Sequence, residues 1–290
     1  MNKNARILIC GSDKMLNSAF LRYFEREKFT NVSFKDTKPD IVIYTGAVSG
    51  GISANIKHPA EFIHKNITEQ TSVINSAKES NAGRLIFFGS SCVYPKSSPQ
   101  PIKEEFLLAG QPEETSEAYA VAKIAGIKMC KAYNTQYGTN FIAIVPATIY
   151  GPEDDFSLEN AHVISALIRK FHEAKIGNKP SVEVWGSGQP RREFIFVDDL
   201  VDATVFILDK YKENWHINAG CSRDHSIKEL ADVISEAVGF KGKITYNTGK
   251  PEGVKQKLLD SSKITSLGWK PKVSLKEGIN ITYNWFEGHV

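Results

Sequence analysis

Short, nearly uninterrupted apolar runs separated by helix-length segments constrain this chain more than any other feature. Arg6-Ile7-Leu8-Ile9-Cys10, Asp40-Ile41-Val42-Ile43-Tyr44, Leu85-Ile86-Phe87-Phe88 and Phe141-Ile142-Ala143-Ile144-Val145 are each the length of one strand. They do not alternate apolar with polar, so both of their faces are expected to be buried. Between them lie helical patterns. One places Met15, Leu16, Ala19, Phe20, Tyr23 and Phe24 on a single face, and others run from Ala60 to Ser80 and from Glu117 to Tyr137. Apolar strands alternating with helices predict an α/β fold, a Rossmann-like doubly wound parallel sheet covered on both sides.

After Gly151-Pro152 the texture changes. A helix is expected from about Asn160 to Lys175, then a short strand Val182-Glu183-Val184-Trp185 and a helix from Asp198 to Asp209. Ser226-Ile227-Lys228-Glu229 and Ser274-Leu275-Lys276-Glu277 each have capping-box spacing at the start of a helix. Residues 1–152 are therefore expected to form a dinucleotide-binding domain. Residues 153–290 are expected to form mainly a smaller substrate-binding lobe, with segments near 195–220 returning to the first. With 36 basic and 33 acidic residues, the charge balance gives no case for nucleic acid or a membrane surface as partner. Cys10, Cys92, Cys130 and Cys221 are scattered, without metal-site spacing or the density of a disulfide framework. No run approaches the 18 or so apolar residues of a membrane span, and the N-terminus lacks a signal-peptide pattern, so a cytoplasmic location is expected.

In a doubly wound sheet, ligands bind beyond the carboxyl ends of the strands. The first strand runs into Gly11-Ser12-Asp13-Lys14-Met15-Leu16-Asn17. Backbone N–H groups at such a turn can approach a diphosphate, although a single glycine is equally the mark of an ordinary strand-to-helix turn. Before the second long strand there is room only for Val32-Ser33-Phe34, so the adenosine side of the site is expected to be abbreviated.

Tyr119 and Lys123 stand four residues apart and so share a helix face. A phenol needs a neighbouring cation to exchange protons near neutral pH. The spacing alone is cheap: ten tyrosines and 36 basic residues in 290 give about one such match by chance. The context adds weight. Leu85–Phe88 leads into Gly89-Ser90-Ser91-Cys92-Val93-Tyr94-Pro95, which puts two hydroxyls at a strand end where they can hold a carbonyl oxygen. The competing reading of that segment is a hydroxyl-stabilised turn stopped by Pro95.

Taken together, Gly89–Pro95, Tyr119-Ala120-Val121-Ala122-Lys123, Val145-Pro146-Ala147-Thr148-Ile149-Tyr150-Gly151-Pro152, Asn160-Ala161-His162-Val163-Ile164, Val184-Trp185-Gly186-Ser187-Gly188, Arg192-Glu193-Phe194-Ile195-Phe196-Val197-Asp198-Asp199-Leu200 and Lys257-Leu258-Leu259-Asp260 resemble the GDP-L-fucose synthase family of extended short-chain dehydrogenase/reductases. The likeness runs from about Asp40 to the end. It implies NADP as cofactor, with NAD possible, a GDP-linked 4-keto-6-deoxy sugar as substrate and a homodimer built on the helices that begin near Ala60 and Glu117. By the same resemblance, Ser90 or its neighbour Ser91 would hold the C4 carbonyl. Tyr119 would protonate the C4 oxygen, and Lys123 would assist it and bind the nicotinamide ribose. Cys92 and His162 would be the base and acid of epimerisation, with Cys92 as a small core residue and His162 as a helix-terminus residue the bland alternatives. Lys170, Trp185 and Arg192 would contact the nucleotide-sugar, Arg192 as a diphosphate clamp.

The chain departs from that family in ways that bear on the cofactor. Lys14 and Asn17 stand where two glycines of the turn are expected, and Asp13 stands where an arginine for the 2′-phosphate is usual. Gly11 and Lys14 remain the candidates for cofactor binding there, with Lys35 a further source of positive charge. Lys170 for arginine and Thr148 for asparagine point toward a related sugar, such as a 4-keto-heptose or a 3,6-dideoxyhexose on GDP. Two alternatives stay open: an enzyme that keeps only part of this chemistry, or a non-catalytic sugar-nucleotide-binding relative.

Overall fold

The computed structural model describes residues 1–35, 38–157 and 160–290. The expected strands, joined by one more from the returning segment, form one six-stranded sheet in which every pairing is parallel, in the order β2-β1-β3-β4-β5-β9. Its members are β1 (Ile7–Cys10), β2 (Val32–Ser33), β3 (Ile41–Tyr44), β4 (Arg84–Phe88), β5 (Phe141–Pro146) and, much later in the chain, β9 (Ile217–Ala219). The order reverses direction between β1 and β3, which opens a crevice at the strands' carboxyl ends. Residues on both faces of these strands are buried, Ile7, Ile9, Ile43, Phe87 and Ile144 completely, as their unbroken apolar character requires. The β2 strand, which ends the sheet on that side of β1, is only two residues long.

Helices α1 (Lys14–Arg26), α2 (Ile52–Lys57), α3 (Pro59–Glu79) and α4 (Glu117–Tyr137) cover this sheet together with α6 (Val197–Lys210), which lies against α1. The α4 helix approaches the sheet closely because Gly126 faces the Phe87 ring, where a Cβ would collide with it. The short α2 helix is an addition to what the apolar pattern predicts.

The rest of the chain builds a second core around Tyr150, Ile168, Phe171, Val184, Leu230, Ile234, Ile279 and Phe286. It contains β6 (Thr148–Tyr150), α5 (Val163–Ile176), β7 (Ser181–Trp185), β8 (Arg191–Phe196), β10 (Asp224–Ser226), α7 (Ile227–Val238), β11 (Lys243–Asn247), β12 (Gln256–Lys257) and α9 (Leu275–Glu287). The α8 turn (Ser262–Ser266) packs back against β9 of the large sheet. Strands are more numerous here than the sequence suggests. β8 is flanked by β10 and β12 and also pairs β6, while β7 pairs β11. These strands are two to six residues long and several mix charge with apolar residues, so their periodicity is weak. The α7 helix opens with the full reciprocal box of Ser226 and Glu229, whereas at α9 Ser274 accepts from the Glu277 amide alone.

Candidate active site

A cleft of about 670 Å³ lies between the two cores, at the carboxyl ends of β1, β3, β4 and β5. Its floor is the turn after β1. Gly11 has φ +126°, and a Cβ there would run into the backbone of Thr45 and Gly46, so this one position demands glycine. Asn17 does work that a glycine would not. Its amide donates to Gly11 O (3.1 Å) and its oxygen accepts from the Thr45 hydroxyl (2.6 Å), which fastens α1 to the ends of β1 and β3. The Asp13 carboxylate caps α1 by accepting from the Leu16 amide at 2.9 Å. Burial pushes its pKa up, and the Leu16 bond and the positive charges of His162 and Lys123 pull it back. Lys14 lines the cleft; Lys35 lies outside its lining, on an exposed loop.

At the opposite wall, β4 ends in a 3₁₀ turn, Ser91–Val93. Ser90 caps it, its hydroxyl accepting from the Cys92 amide at 3.3 Å. That cap holds a hydroxyl and a thiol side by side. Tyr119 and Lys123, one turn apart near the start of α4, face them. Burial, with the nearby Cys92, keeps the Tyr119 phenol's pKa above its ordinary value, against the opposing pull of Ser90. Lys123 is 1% exposed, lies 4.9 Å from the centre of the Phe87 ring and donates to Gly46 O at 3.3 Å. Burial lowers its pKa to about 8 against the opposing pull of Glu69 and Asp13. An ammonium has three donors; with one spent on Gly46, the others are available to a ligand in the cleft.

Cys92 shows how strongly a neighbour can act. Burial alone would raise its pKa. The Lys257 ammonium, 3.5 Å from the sulfur, together with hydrogen bonds from Ser90, Lys257 and Ser116, outweighs that cost and holds the thiol below its ordinary range. Lys257 arrives from β12, 165 residues away, and reading the sequence for catalytic groups passed it over. Only its place in the Lys257–Asp260 motif marked it.

His162 is the N-cap residue of α5, its side chain making no capping bond, and it borders the cleft. The helix starts at Val163, three residues later than expected, which leaves the imidazole at a helix terminus beside the site. Asp13 and Asp154 lie close enough for His162 to act on both carboxyls. Burial pushes the Asp154 carboxyl up, His162 opposes that, and the Ser165 hydroxyl donates to it. Asp154 was not singled out by the sequence pattern because it lies in an irregular loop. Asn66 is a second omission. It is buried on α3 and grips both the amide (3.0 Å) and the carbonyl (2.8 Å) of Val48 in the loop that walls the cleft.

The structure thus gathers Lys14, Ser90, Ser91, Cys92, Tyr119, Lys123, His162 and Arg192 around one cleft. Gly11 lies just behind it. Arg192 is tied to the carbonyls of Arg191 (2.8 Å) and Glu252 (3.1 Å) at the rim. Lys170 and Trp185 are not among the residues lining this cleft. They lie outside it, with the Lys170 and Lys250 ammoniums each 5.3 Å from the Trp185 ring centre. Trp185 ends β7, which pairs β11, whereas Arg192 lies on β8.

Comparison with known proteins agrees with this geometry. The NAD dependent epimerase/dehydratase family matches residues 20–220. A putative GDP-L-fucose synthase of Arabidopsis thaliana is 47% identical, covering 99% of this chain and 93% of that protein. The similarity therefore takes in the β1–α1 turn that motif reading had left out. A GDP-6-OMe-4-keto-L-xylo-heptose reductase from C. jejuni superposes with a TM-score of 0.94 at 34% identity, covering 100% of this chain and 99% of the other. A GDP-mannoheptose C4 reductase from Campylobacter jejuni with NADP bound gives a TM-score of 0.87 at 35% identity, with 99% of each chain covered. The parallel sheet, the crevice at its switch point and the match over most of the sequence agree: the chain belongs to the NAD dependent epimerase/dehydratase family.

Proposed function

We propose that this protein is an NADPH-dependent epimerase/reductase that converts a GDP-4-keto-6-deoxy sugar to GDP-L-fucose or a close analogue. The observation that carries this reading is the meeting, in one cleft, of a phenol with a buried ammonium and, beside them, a thiol of lowered pKa opposite an imidazole. The residues present fit a dinucleotide: Gly11 lets the β1–α1 turn pack flush on Gly46 at the end of β1, and Lys123 retains unspent donors deep in the cleft. NADPH, when bound, supplies hydride to C4 of the sugar. We take residues 1–152, with α6 and β9, as the part that holds it, and the remaining lobe as the part that holds the GDP-sugar.

C3 and C5 both flank the C4 ketone, so removing a proton from either gives an enolate. The Cys92 thiolate, favoured by Lys257, takes that proton, and His162 returns one to the opposite face. Ser90, with Ser91 beside it, holds the ketone oxygen. After inversion, Tyr119 protonates that oxygen, and Lys123 stabilises the phenolate left behind and anchors the ribose. Arg192 faces the diphosphate. Lys170 and Trp185 belong to this reading only as a remote surface for the nucleotide end.

The test uses GDP-4-keto-6-deoxy-mannose in deuterated water, with and without NADPH. Deuterium at C3 and C5 without reductant, and consumption of NADPH when it is present, are expected. Cys92→Ser should abolish exchange; intact exchange in that variant sinks its assigned role. The reductases among the similar structures favour a second reading, C4 reduction alone, which predicts NADPH consumption with no deuterium incorporated.

A homodimer through the outer faces of α3 and α4 is part of the proposal, and sedimentation velocity tests it. A cytoplasmic location is also part of it, because a working thiolate is preserved in a reducing compartment. Among the described residues, no helix is long and apolar enough to cross a membrane.

A further inference from the structure

Glu193 follows Arg192 on β8, and the pleat turns its side chain away from the cleft. It is 3% exposed. One carboxylate oxygen accepts from the Leu259 amide at 2.8 Å and the other from the Ser222 amide at 2.7 Å, and the Cys221 amide adds a third bond. Gly220 makes room for it, since a Cβ there would occupy the carboxylate's space. Burial pushes its pKa up to about 7 against the pull of those three amides, with Asp224 adding to the rise. A buried carboxylate is a costly way to fill space, and none of the steps above uses this one.

Its partners suggest what it is for. Leu259 lies two residues beyond Lys257, and Lys257 is the residue paired with Arg192 in the parallel ladder. β12 has only two residues, so the Lys257 side chain depends on what holds the residues after it: Gln100 and the Ile102 backbone bond Leu258 and Asp260, and Glu193 alone bonds the Leu259 amide between them. We propose that Glu193 is a positioning residue: its carboxylate clamps the Leu259 end of β12 to β8 and so holds the Lys257 ammonium against Cys92. Arg192 and Glu193, adjacent on one strand, thereby serve opposite sides of the same sheet, one at the cleft and one behind it. The inference rests on the reading of Cys92 as a working thiolate.

A glutamine at this position keeps the size but puts an N–H donor against a backbone donor. The experiment follows the rate at which iodoacetamide alkylates Cys92 as a function of pH, by peptide mass spectrometry on the full-length protein without substrate. Lys257→Met should slow alkylation at pH 7 by about tenfold, and Glu193→Gln by about fivefold, with the inflection moved to higher pH in both. The double variant should be no slower than Lys257→Met alone, because Glu193 acts through the lysine. Gly220→Ala, which crowds the carboxylate from outside, should act in the same direction if Glu193→Gln does not fold. An unchanged profile in a folded Glu193→Gln or Gly220→Ala variant, or additive effects in the double variant, overturns the positioning role. So does a wild-type profile in Lys257→Met. Failure of the broader functional reading is separate: Cys92→Ala with undiminished deuterium exchange would remove it without altering the thiol titration.

Discussion

The two ends of the cleft solve their problems differently. At the β4–α4 end, the groups that matter are supplied by compact stretches of sequence: Ser90 to Cys92 on one turn, Tyr119 and Lys123 on one helix face. At the β1–α1 end, a turn that would be expected to carry three glycines carries one. It keeps its shape through side chains, with Asn17 bonding both Gly11 and Thr45 and Asp13 capping the helix. Glycine is needed only where backbone meets backbone with φ in the left-handed region, which is Gly11 against Gly46. Elsewhere in the turn, an amide that satisfies two neighbours serves as well.

That contrast can be broken at either end. The largest effect is expected from Tyr119→Phe, which should lower NADPH-dependent reduction about 10³-fold while sparing most deuterium exchange at C3 and C5. Equal loss of both would mean that the phenol serves the whole site and not the reduction step. Gly11→Ala should act at the other end. Forcing a Cβ against the backbone of Gly46 should weaken NADPH binding in a fluorescence titration by about 50-fold and lower the melting temperature. Exchange without reductant should survive.

The pH dependence comes next. The Lys123 ammonium, with its pKa lowered to about 8, is lost as pH rises through that value, so kcat/KM for reduction should fall about tenfold per unit above it. The stability sign is opposite. The folded value lies below the unfolded one, so the cost of burying this charge is fully present below pH 8 and fades between 8 and the ordinary lysine value of 10.5. A Lys123→Met variant should lose both features in rate and melting profiles. The smallest effect is expected from Asn17→Ala. Losing two hydrogen bonds at about 1 kcal/mol each, partly made good by water, should weaken NADPH binding about fivefold. No change would mean that the turn holds its shape without the amide.

Much of this arrangement is legible in the sequence. Both-face burial of β3, β4 and β5 requires unbroken apolar runs, β1 is buried on one face and half-buried on the other, and the helices between the strands need one apolar face, so the parallel sheet could be read directly. Ser90, Cys92, Tyr119 and Lys123 lie in ordered motifs close to strand and helix ends. The small lobe was harder. β8 mixes Arg191, Arg192 and Glu193 with its apolar residues, and β12 is only Gln256 and Lys257, so neither shows a strand period. The resemblance groups Trp185 and Lys170 with Arg192, whereas β7 and β8 belong to different strand groups and Trp185 and Lys170 are not among the residues lining the cleft.

The sequence by itself determined the core strands of the sheet and the helix that carries Tyr119 and Lys123. Both follow from local periodicity, whereas the need for glycine at position 11 comes from the packing of that turn on Thr45 and Gly46. Tertiary structure alone decided that Lys257 reaches Cys92, that Asp13 and Asp154 flank His162, and that Glu193 fastens β12. Each of these joins groups from distant parts of the chain. Electrostatic shifts depend on separation in space and on burial, and neither is written into the spacing of residues along the chain.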